Sequence, residues 1–221
     1  MKISIVIPTL NEEKIIFPGV EDLFTRVVPD EVIVVDGGSR DRTCELALEW
    51  TRVISSAKGR ACQMNAGARV ATGDILLFLH ADTRLPDKGL EKIKQAIGPR
   101  SQAGRFRMKF DEDRPLLRFY SLYTRFHFFS YGDQGFFVTR KLFWEMGGYR
   151  EDVPFEDIDF YQRLRKRTQP VILREAVITS ARRFSQRGLV CQKFINLLLV
   201  GLYALGFNVL ALQKKLYPEI R

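Results

Sequence analysis

The sequence predicts an α/β fold in which a mostly parallel central sheet is flanked by helices on both faces and followed by a C-terminal helical tail. Two observations carry this reading. Short, mainly apolar runs recur through the first hundred positions, and each is followed by a segment of helical spacing. Continuous apolar strands alternating with helices indicate a parallel sheet covered on both sides. With 221 residues the chain is long enough to bury such a core.

The elements follow in order. Residues 3–7 (Ile-Ser-Ile-Val-Ile) form a first strand closed by Pro8, and Asn11-Glu12-Glu13 opens a helix with acidic residues in its first turn. Residues 32–35 are a second buried strand, stopped by Asp36-Gly37-Gly38-Ser39. Residues 40–50 have helical spacing, 52–55 read as a third strand, and Ala-rich 60–71 as a helix closed by Gly73. Residues 75–79 (Ile-Leu-Leu-Phe-Leu) are the strongest strand, and Pro86 opens another helix. Beyond Pro99, Phe106, Met108 and Phe110 alternate with Arg105, Arg107 and Lys109, the pattern of a half-exposed strand. Residues 116–131 form an aromatic-rich helical segment expected to pack on the core and to wall one side of a ligand site. Residues 135–140 are a strand, 157–166 a helix, and 171–183 one or two strands. The expected organisation is a domain over 1–187, with halves at 1–100 and 101–187, and an apolar helical tail over 188–221.

Composition narrows the class. Apolar residues make up 46% and charged residues 28%, an ordinary globular balance. Lys and Arg total 35 against 26 Asp and Glu, a net +9. Residues 1–100 hold 14 basic and 14 acidic side chains, so the whole surplus belongs to 101–221. Such a surplus suits nucleic acid, an anionic membrane surface or a phosphorylated substrate equally. Cys44, Cys62 and Cys191 are odd in number and widely spaced, which argues against a disulfide framework and against a zinc site. The first apolar run is too short for a signal peptide, so the expected location is cytoplasmic, with the cytoplasmic membrane face as an alternative. Residues 194–213 lack any charge but include Asn196, Gly201, Gly206 and Asn208. An amphipathic or dimer-forming tail ranks first there, peripheral membrane contact second and a span third.

In an open α/β sheet, ligands bind beyond the carboxyl ends of the strands. Three polar clusters fall there: Pro8-Thr9-Leu10-Asn11-Glu12, Asp36-Gly37-Gly38-Ser39 and His80-Ala81-Asp82. Alone, Asp36 reads equally well as an Asx-turn residue. No Gly-x-Gly-x-x-Gly follows the first strand, and neither a P-loop nor a Gly-x-Ser-x-Gly elbow occurs. A nicotinamide dinucleotide, P-loop chemistry and an α/β-hydrolase are thereby disfavoured.

Residues 4–13 (Ser4 through Pro8-Thr9-Leu10-Asn11-Glu12-Glu13) and 34–43 (Val34-Val35-Asp36-Gly37-Gly38-Ser39-Arg40-Asp41-Arg42-Thr43) resemble the two opening signatures of family 2 glycosyltransferases with the GT-A fold. Residues 58–67, 73–82, Gly132-Asp133-Gln134-Gly135 and Phe155-Glu156-Asp157-Ile158-Asp159 continue the order, so the resemblance spans roughly residues 2–185. The short length, His80-Ala81-Asp82 and Gly132-Asp133-Gln134-Gly135 are most similar to a compact bacterial subgroup associated with arsenosugar biosynthesis.

The resemblance implies a nucleotide-diphosphate-sugar donor (UDP-linked for preference), a divalent metal (Mn²⁺ or Mg²⁺), inversion at the anomeric carbon, a hydroxyl acceptor and no nucleic acid. On the matching positions, Pro8, Thr9, Glu12, Asp36, Gly37, Arg60 and Ala81 would hold the nucleotide. Asp82 would hold the metal, and Arg183, of Arg182-Arg183-Phe184, would face the leaving diphosphate. His80, Asp133 and Gln134 would line the sugar or acceptor side. Asp157 would be the general base, with Glu156 positioning it. The chemistry suits these roles: a carboxylate can accept the N3–H of uracil, and a hard cation needs few protein oxygens. His80 stands where the family's metal motif has its first Asp. Imidazole is a poor Mg²⁺ ligand, so contact with sugar or backbone is at least as good a reading. Asp159 and His127 are expected to be structural. Two rivals are a nucleotidyltransferase, disfavoured because residues 8–12 lack a Gly-rich basic loop, and a non-catalytic nucleotide-sugar or membrane-surface binder.

Overall fold

The first strand, β1 (Ile3–Thr9), is buried along its whole length, because its branched side chains face apolar layers on both sides of the sheet. It passes through Pro8 to Thr9 rather than stopping at the proline. The computed structural model describes residues 1–127 and 132–182, with 195, 198–199, 201–203, 205, 207, 209 and 212 of the C-terminal part. After β1 come α1 (Glu13–Asp22), β2 (Glu31–Asp36), α2 (Thr43–Leu48), β3 (Arg52–Ser55), α3 (Arg60–Val70), β4 (Ile75–Phe78) and β5 (Thr83–Arg84). Then follow α4 (Gly89–Ala96), β6 (Ala103–Phe110), α5 (Pro115–Tyr123), β7 (Phe136–Thr139), α6 (Arg140–Glu145), α7 (Glu156–Arg165) and β8 (Val171–Thr179). A π-helical turn at Leu23–Val27 prolongs α1, and a 3-10 turn at Gly132–Gln134 leads into β7.

All eight strands join one sheet in the order β3-β2-β1-β4-β7-β6-β8-β5. The pairings β3–β2, β2–β1, β1–β4 and β6–β8 are parallel; β4–β7, β7–β6 and β5–β8 are antiparallel. Because β7 opposes both of its neighbours, β6 and β8 point the same way as β4. The carboxyl ends of six strands, β1, β2, β3, β4, β6 and β8, therefore meet at one end of the sheet. On one face Ile5, Ile7, Val34, Leu77 and Phe106 pack with Ile16, Val20 and Ile93 of α1 and α4. On the other, Val6, Ile33, Leu76 and Phe136 pack with Met64, Phe143 and Phe160 of α3, α6 and α7. Each such side chain, fully buried, contributes about 1.5–3 kcal/mol relative to exposure.

Two expectations are corrected. Arg105, placed by the alternation of β6 on an exposed face, is completely buried. Its guanidinium donates to Thr124 O and Phe126 O at 2.7 Å and lies 5.8 Å from the Tyr161 ring centroid, so those carbonyls and the ring replace the water it loses. Burial holds its pKa below the usual arginine range. The helix expected over 116–131 ends at Tyr123. Only Leu117 of it is fully in the core, while Leu116, Phe119, Leu122 and Phe126 are exposed. The expected tail over 188–221 lies largely outside the described residues. Among those described, no helix is long and apolar enough to cross a membrane.

Candidate active site

Backbone amides lace the first two polar clusters together at the carboxyl ends of β1 and β2. Asn11, in a left-handed conformation (φ 53°), donates its N–H to Ser39 Oγ at 2.8 Å and accepts from Arg40 N at 2.9 Å. The Glu12 N–H donates to Thr43 Oγ1 at 2.7 Å, and Gly37 N to Thr9 O at 3.0 Å. Asp36 is 4% exposed. Its Oδ2 accepts from Gly38 N and Ser39 N at 2.8 Å, and its Oδ1 from Ser39 Oγ at 2.5 Å. The Asx-turn reading of Asp36 is thus present in the structure, and the turn fixes where the carboxylate sits. Gly37 is buried beside Gln63: a Cβ there would lie 3.1 Å from the Gln63 amide.

Gln63 and Asn65 of α3 act in ways the sequence did not disclose. Gln63 Nε2 donates to Thr9 O at 2.6 Å and Val35 O at 2.8 Å, tying the ends of β1 and β2 to the helix. Asn65 accepts from Tyr149 N at 3.0 Å and donates to Tyr149 O at 2.9 Å and Glu151 Oε1 at 3.0 Å, which fixes the loop leading to α7. Thr9 is fully buried and its hydroxyl donates to Val35 O at 3.3 Å. Its side chain thereby braces the ends of β1 and β2. Pro8 is likewise buried.

Arg60, the first residue of α3, faces two carboxylates and an imidazole. Its Nε lies 3.0 Å from Glu156 Oε1, an ion pair not aligned as a hydrogen bond, and its Nη2 lies 4.0 Å from Asp157 Oδ2. Nη2 also lies 2.9 Å from His80 Nε2. Arginine can only donate, so that imidazole nitrogen accepts and its lone pair faces Arg60. His80 is 5% exposed. Burial alone would lower the Arg60 pKa, but the Glu156, Asp157 and Asp133 carboxylates outweigh it and raise it. Glu156 is held above the ordinary carboxylate range by burial, opposed by Arg60 and reinforced by Asp157. The buried Tyr149 phenol is pushed well up for the same reasons, burial first and then the two carboxylates.

Glu156 and Asp157 occupy the first turn of α7, where unpaired backbone N–H groups favour negative charge. Asp157 Oδ1 accepts from Ile158 N at 2.8 Å. Asp159 accepts from Arg163 Nε at 2.8 Å, and His127 Nδ1 lies 2.7 Å from the Tyr161 hydroxyl. Gln134 is fully buried, and the charge of Asp133 reaches both Arg60 and Arg105.

Beyond β4, Ala81 packs so tightly under α1 that a Cβ on Gly19 would stand 2.8 Å from Ala81 O. Asp82 Oδ2 lies 3.6 Å from Arg182 Nη2, and that same nitrogen donates to both Glu12 oxygens at 2.8 and 2.6 Å. Arg182 therefore bridges the loops after β1 and β4, and the Glu12 carboxylate meets its cation. Arg183 lies outside the described residues. Among those described, no group of three His, Cys, Asp or Glu gathers as a metal cage. Asp82 alone is a hard oxygen donor and fits a Mg²⁺ or Mn²⁺ that takes its other oxygens from diphosphate and water.

The glycosyl transferase family 2 profile matches residues 4–152. The chain belongs to this family. Among curated relatives, it is 34% identical over 110 residues to the dolichol-phosphate mannosyltransferase of Pyrococcus furiosus (44% of this chain, 30% of that one). It is 32% identical over 114 residues to the 4,4'-diaponeurosporenoate glycosyltransferase of Staphylococcus haemolyticus (46% and 30%). The chain spans about a third of the length of these relatives. Among solved structures, the mannosyltransferase PcManGT of Pyrobaculum calidifontis with GDP-Man and Mn²⁺ superposes with a TM-score of 0.64 at 21% identity, covering 80% of this chain and 56% of that one. S. aureus TarS 1–349 with UDP-GlcNAc superposes at 0.66 and 20% identity, covering 81% and 58%. These likenesses show the family 2 fold, an α/β sheet flanked by helices of the GT-A kind.

Proposed function

We propose that this family 2 protein is an inverting glycosyltransferase that moves a sugar from a nucleotide diphosphate, UDP for preference, to a hydroxyl acceptor. The observation that carries this reading is the pair Glu156–Asp157 at the start of α7, held against Arg60 of α3, whose guanidinium also meets His80 at the sheet end that bears Asp36 and Asp82. In the proposed step Asp157 takes the acceptor's proton as its oxygen bonds to the anomeric carbon. The bond from that carbon to the diphosphate oxygen breaks on the opposite face, and the nucleoside diphosphate leaves with the electron pair. Arg60 keeps the carboxylate pair in place, and Glu156 shares the charge of Arg60 with Asp157. Asp82 would hold the divalent metal, which supplies positive charge to the departing diphosphate. Asp36 would accept from the base, and Gly37 leaves the approach open. PcManGT binds GDP-Man with Mn²⁺, and the similarly folded glucosyl-3-phosphoglycerate synthase of Mycobacterium tuberculosis binds UDP with Mg²⁺, which supports a metal-assisted nucleotide-sugar donor. The features favouring the arsenosugar-associated subgroup are His80-Ala81-Asp82 and the Gly132–Gly135 block with the short chain.

The test is calorimetric titration with UDP, GDP, ADP and CDP, each with Mn²⁺, Mg²⁺ or EDTA. Metal-dependent binding of one diphosphate, weakened by Asp82→Ala, is the expected result. A folded sample that binds none of them overturns the reading.

A further inference from the structure

The outward face of α5 carries a group of exposed apolar side chains. At about 100° per residue, Leu116, Phe119 and Leu122 share one face of the helix, and Phe126 follows just beyond its end. They are 50%, 54%, 45% and 62% exposed. Leu117 and Tyr120 face the other way, into the core. Four large apolar side chains standing free on a single nine-residue helix and its exit are unusual for a surface with no partner.

Beside this ridge runs a groove of about 530 Å³ between α5, β6 and β8. Arg107, Lys109, Arg125 and Arg174 line it, and none of the four has an ion pair or side-chain hydrogen bond among the described residues. The three acids in the groove are already engaged. Asp113 pairs with Arg118, Glu112 with Arg114 at 2.6 Å, and Asp111 accepts from Ala181 N at 2.8 Å. The groove therefore presents uncompensated positive charge next to an apolar ridge.

We propose that α5 and this groove dock on an anionic lipid bilayer, with the ridge of Leu116, Phe119, Leu122 and Phe126 entering the acyl boundary. Arg107, Lys109, Arg125 and Arg174 meet the headgroup phosphates. Amphipathic helices with a basic flank bind such surfaces by this combination of apolar burial and charge attraction. A second copy of the chain fits the face poorly, because a two-fold contact would set the same four cations against themselves. The segments on either side of the helix are tied to the sheet. At its start, Asp111 N donates to Thr179 O at 3.1 Å, and Ser180 N donates to Asp82 O at 3.2 Å. Past its end, Arg105 holds the carbonyls of Thr124 and Phe126. A bilayer seated on α5 thus lies at the same end of the sheet as Asp82. The docking goes beyond the proposed transfer reaction and does not depend on it.

The experiment is flotation of the full chain with vesicles of phosphatidylcholine alone or mixed with phosphatidylglycerol, at low and high salt. The expected result is flotation with the anionic vesicles only, weakening as salt rises. Phe119→Ser/Leu122→Ser abolishes it, and Arg125→Gln/Arg174→Gln lowers partitioning by about fivefold for each cation removed. Circular dichroism confirms that both variants are folded. The proposal is overturned by an absence of flotation, by equal flotation on neutral vesicles, or by variants that float like the parent chain. It is overturned too if Phe119→Ser/Leu122→Ser turns a dimer into a monomer and leaves flotation unchanged. Nucleotide titration of the same samples reports on the transferase reading separately.

Discussion

Arg60 and Glu156 form a buried ion pair, Nε to Oε1 at 3.0 Å, with Asp157 at the edge of the same guanidinium's reach. Such a pair adds little net stability over an apolar pair of similar shape, but removing one partner leaves the other charge stranded. Arg60→Met is therefore expected to destabilise the protein by about 3–5 kcal/mol. The sign of its pH dependence follows from Glu156. Losing Arg60 raises further a carboxyl already lifted by burial. A raised folded-state value means that stability is retained below the unfolded value and lost as pH rises through the folded one. Urea unfolding should thus show a larger deficit at pH 8 than at pH 5, and Arg60→Met/Glu156→Gln should recover part of it.

Asp157→Asn keeps the shape of the side chain and removes its basicity. If Asp157 takes the acceptor proton, turnover falls by about 10²–10⁴-fold. Nucleotide affinity changes little, since the donor contacts proposed for Asp36 and Asp82 are untouched. Steady-state rates measured alongside calorimetry check this. Unchanged turnover would falsify the assignment of the base.

The order of strand and helix through residue 96 was legible because β1, β2 and β4 are continuous apolar runs, whose periodicity needs no partner to be recognised. The sheet order was not. The insertion of β7 between β4 and β6, and the two-residue β5, depend on pairing between segments such as Thr83 and Thr179. Arg105 was misplaced because alternation reports polarity, not the carbonyls that a folded neighbour supplies. In the candidate site, Asp36, Asp82 and the Glu156–Asp157 pair stood out as acids at strand or helix ends. The bracing by Gln63, Asn65 and Arg182 did not, because each acts on groups 28 to 170 positions away.

Gly67 belongs to the same sequence block as Arg60, yet its role is packing. A Cβ there would stand 2.3 Å from Val6 Cγ1 and 2.9 Å from Val35 Cγ2. Alanine is favoured over glycine inside a helix by up to about 1 kcal/mol, but overpacking costs about 1–3 kcal/mol. Gly67→Ala should lower the urea midpoint with an unchanged slope. Gly98→Ala has open space around it and should shift the midpoint by less than about 0.5 kcal/mol.

Cys44 reports on Asp36 from the far side of the loop. Burial first, and then the charge of Asp36 and a hydrogen bond to it, push the Cys44 thiol up to about 11. A thiol is nucleophilic as the thiolate, so in a Cys62→Ser/Cys191→Ser background alkylation should stay slow at pH 8. Its rate should rise with a midpoint near 11. Replacing Asp36 by Asn removes the nearest negative charge and should move that midpoint down, with faster alkylation at pH 9. The raised folded value also fixes the sign of the stability effect. The native state holds this proton more tightly than the unfolded chain, so its contribution is complete below the unfolded thiol value and is lost as pH climbs through about 11. An alkylation midpoint that Asp36→Asn leaves in place would show that burial alone sets the thiol, and that the Asp36 charge is not directed toward it.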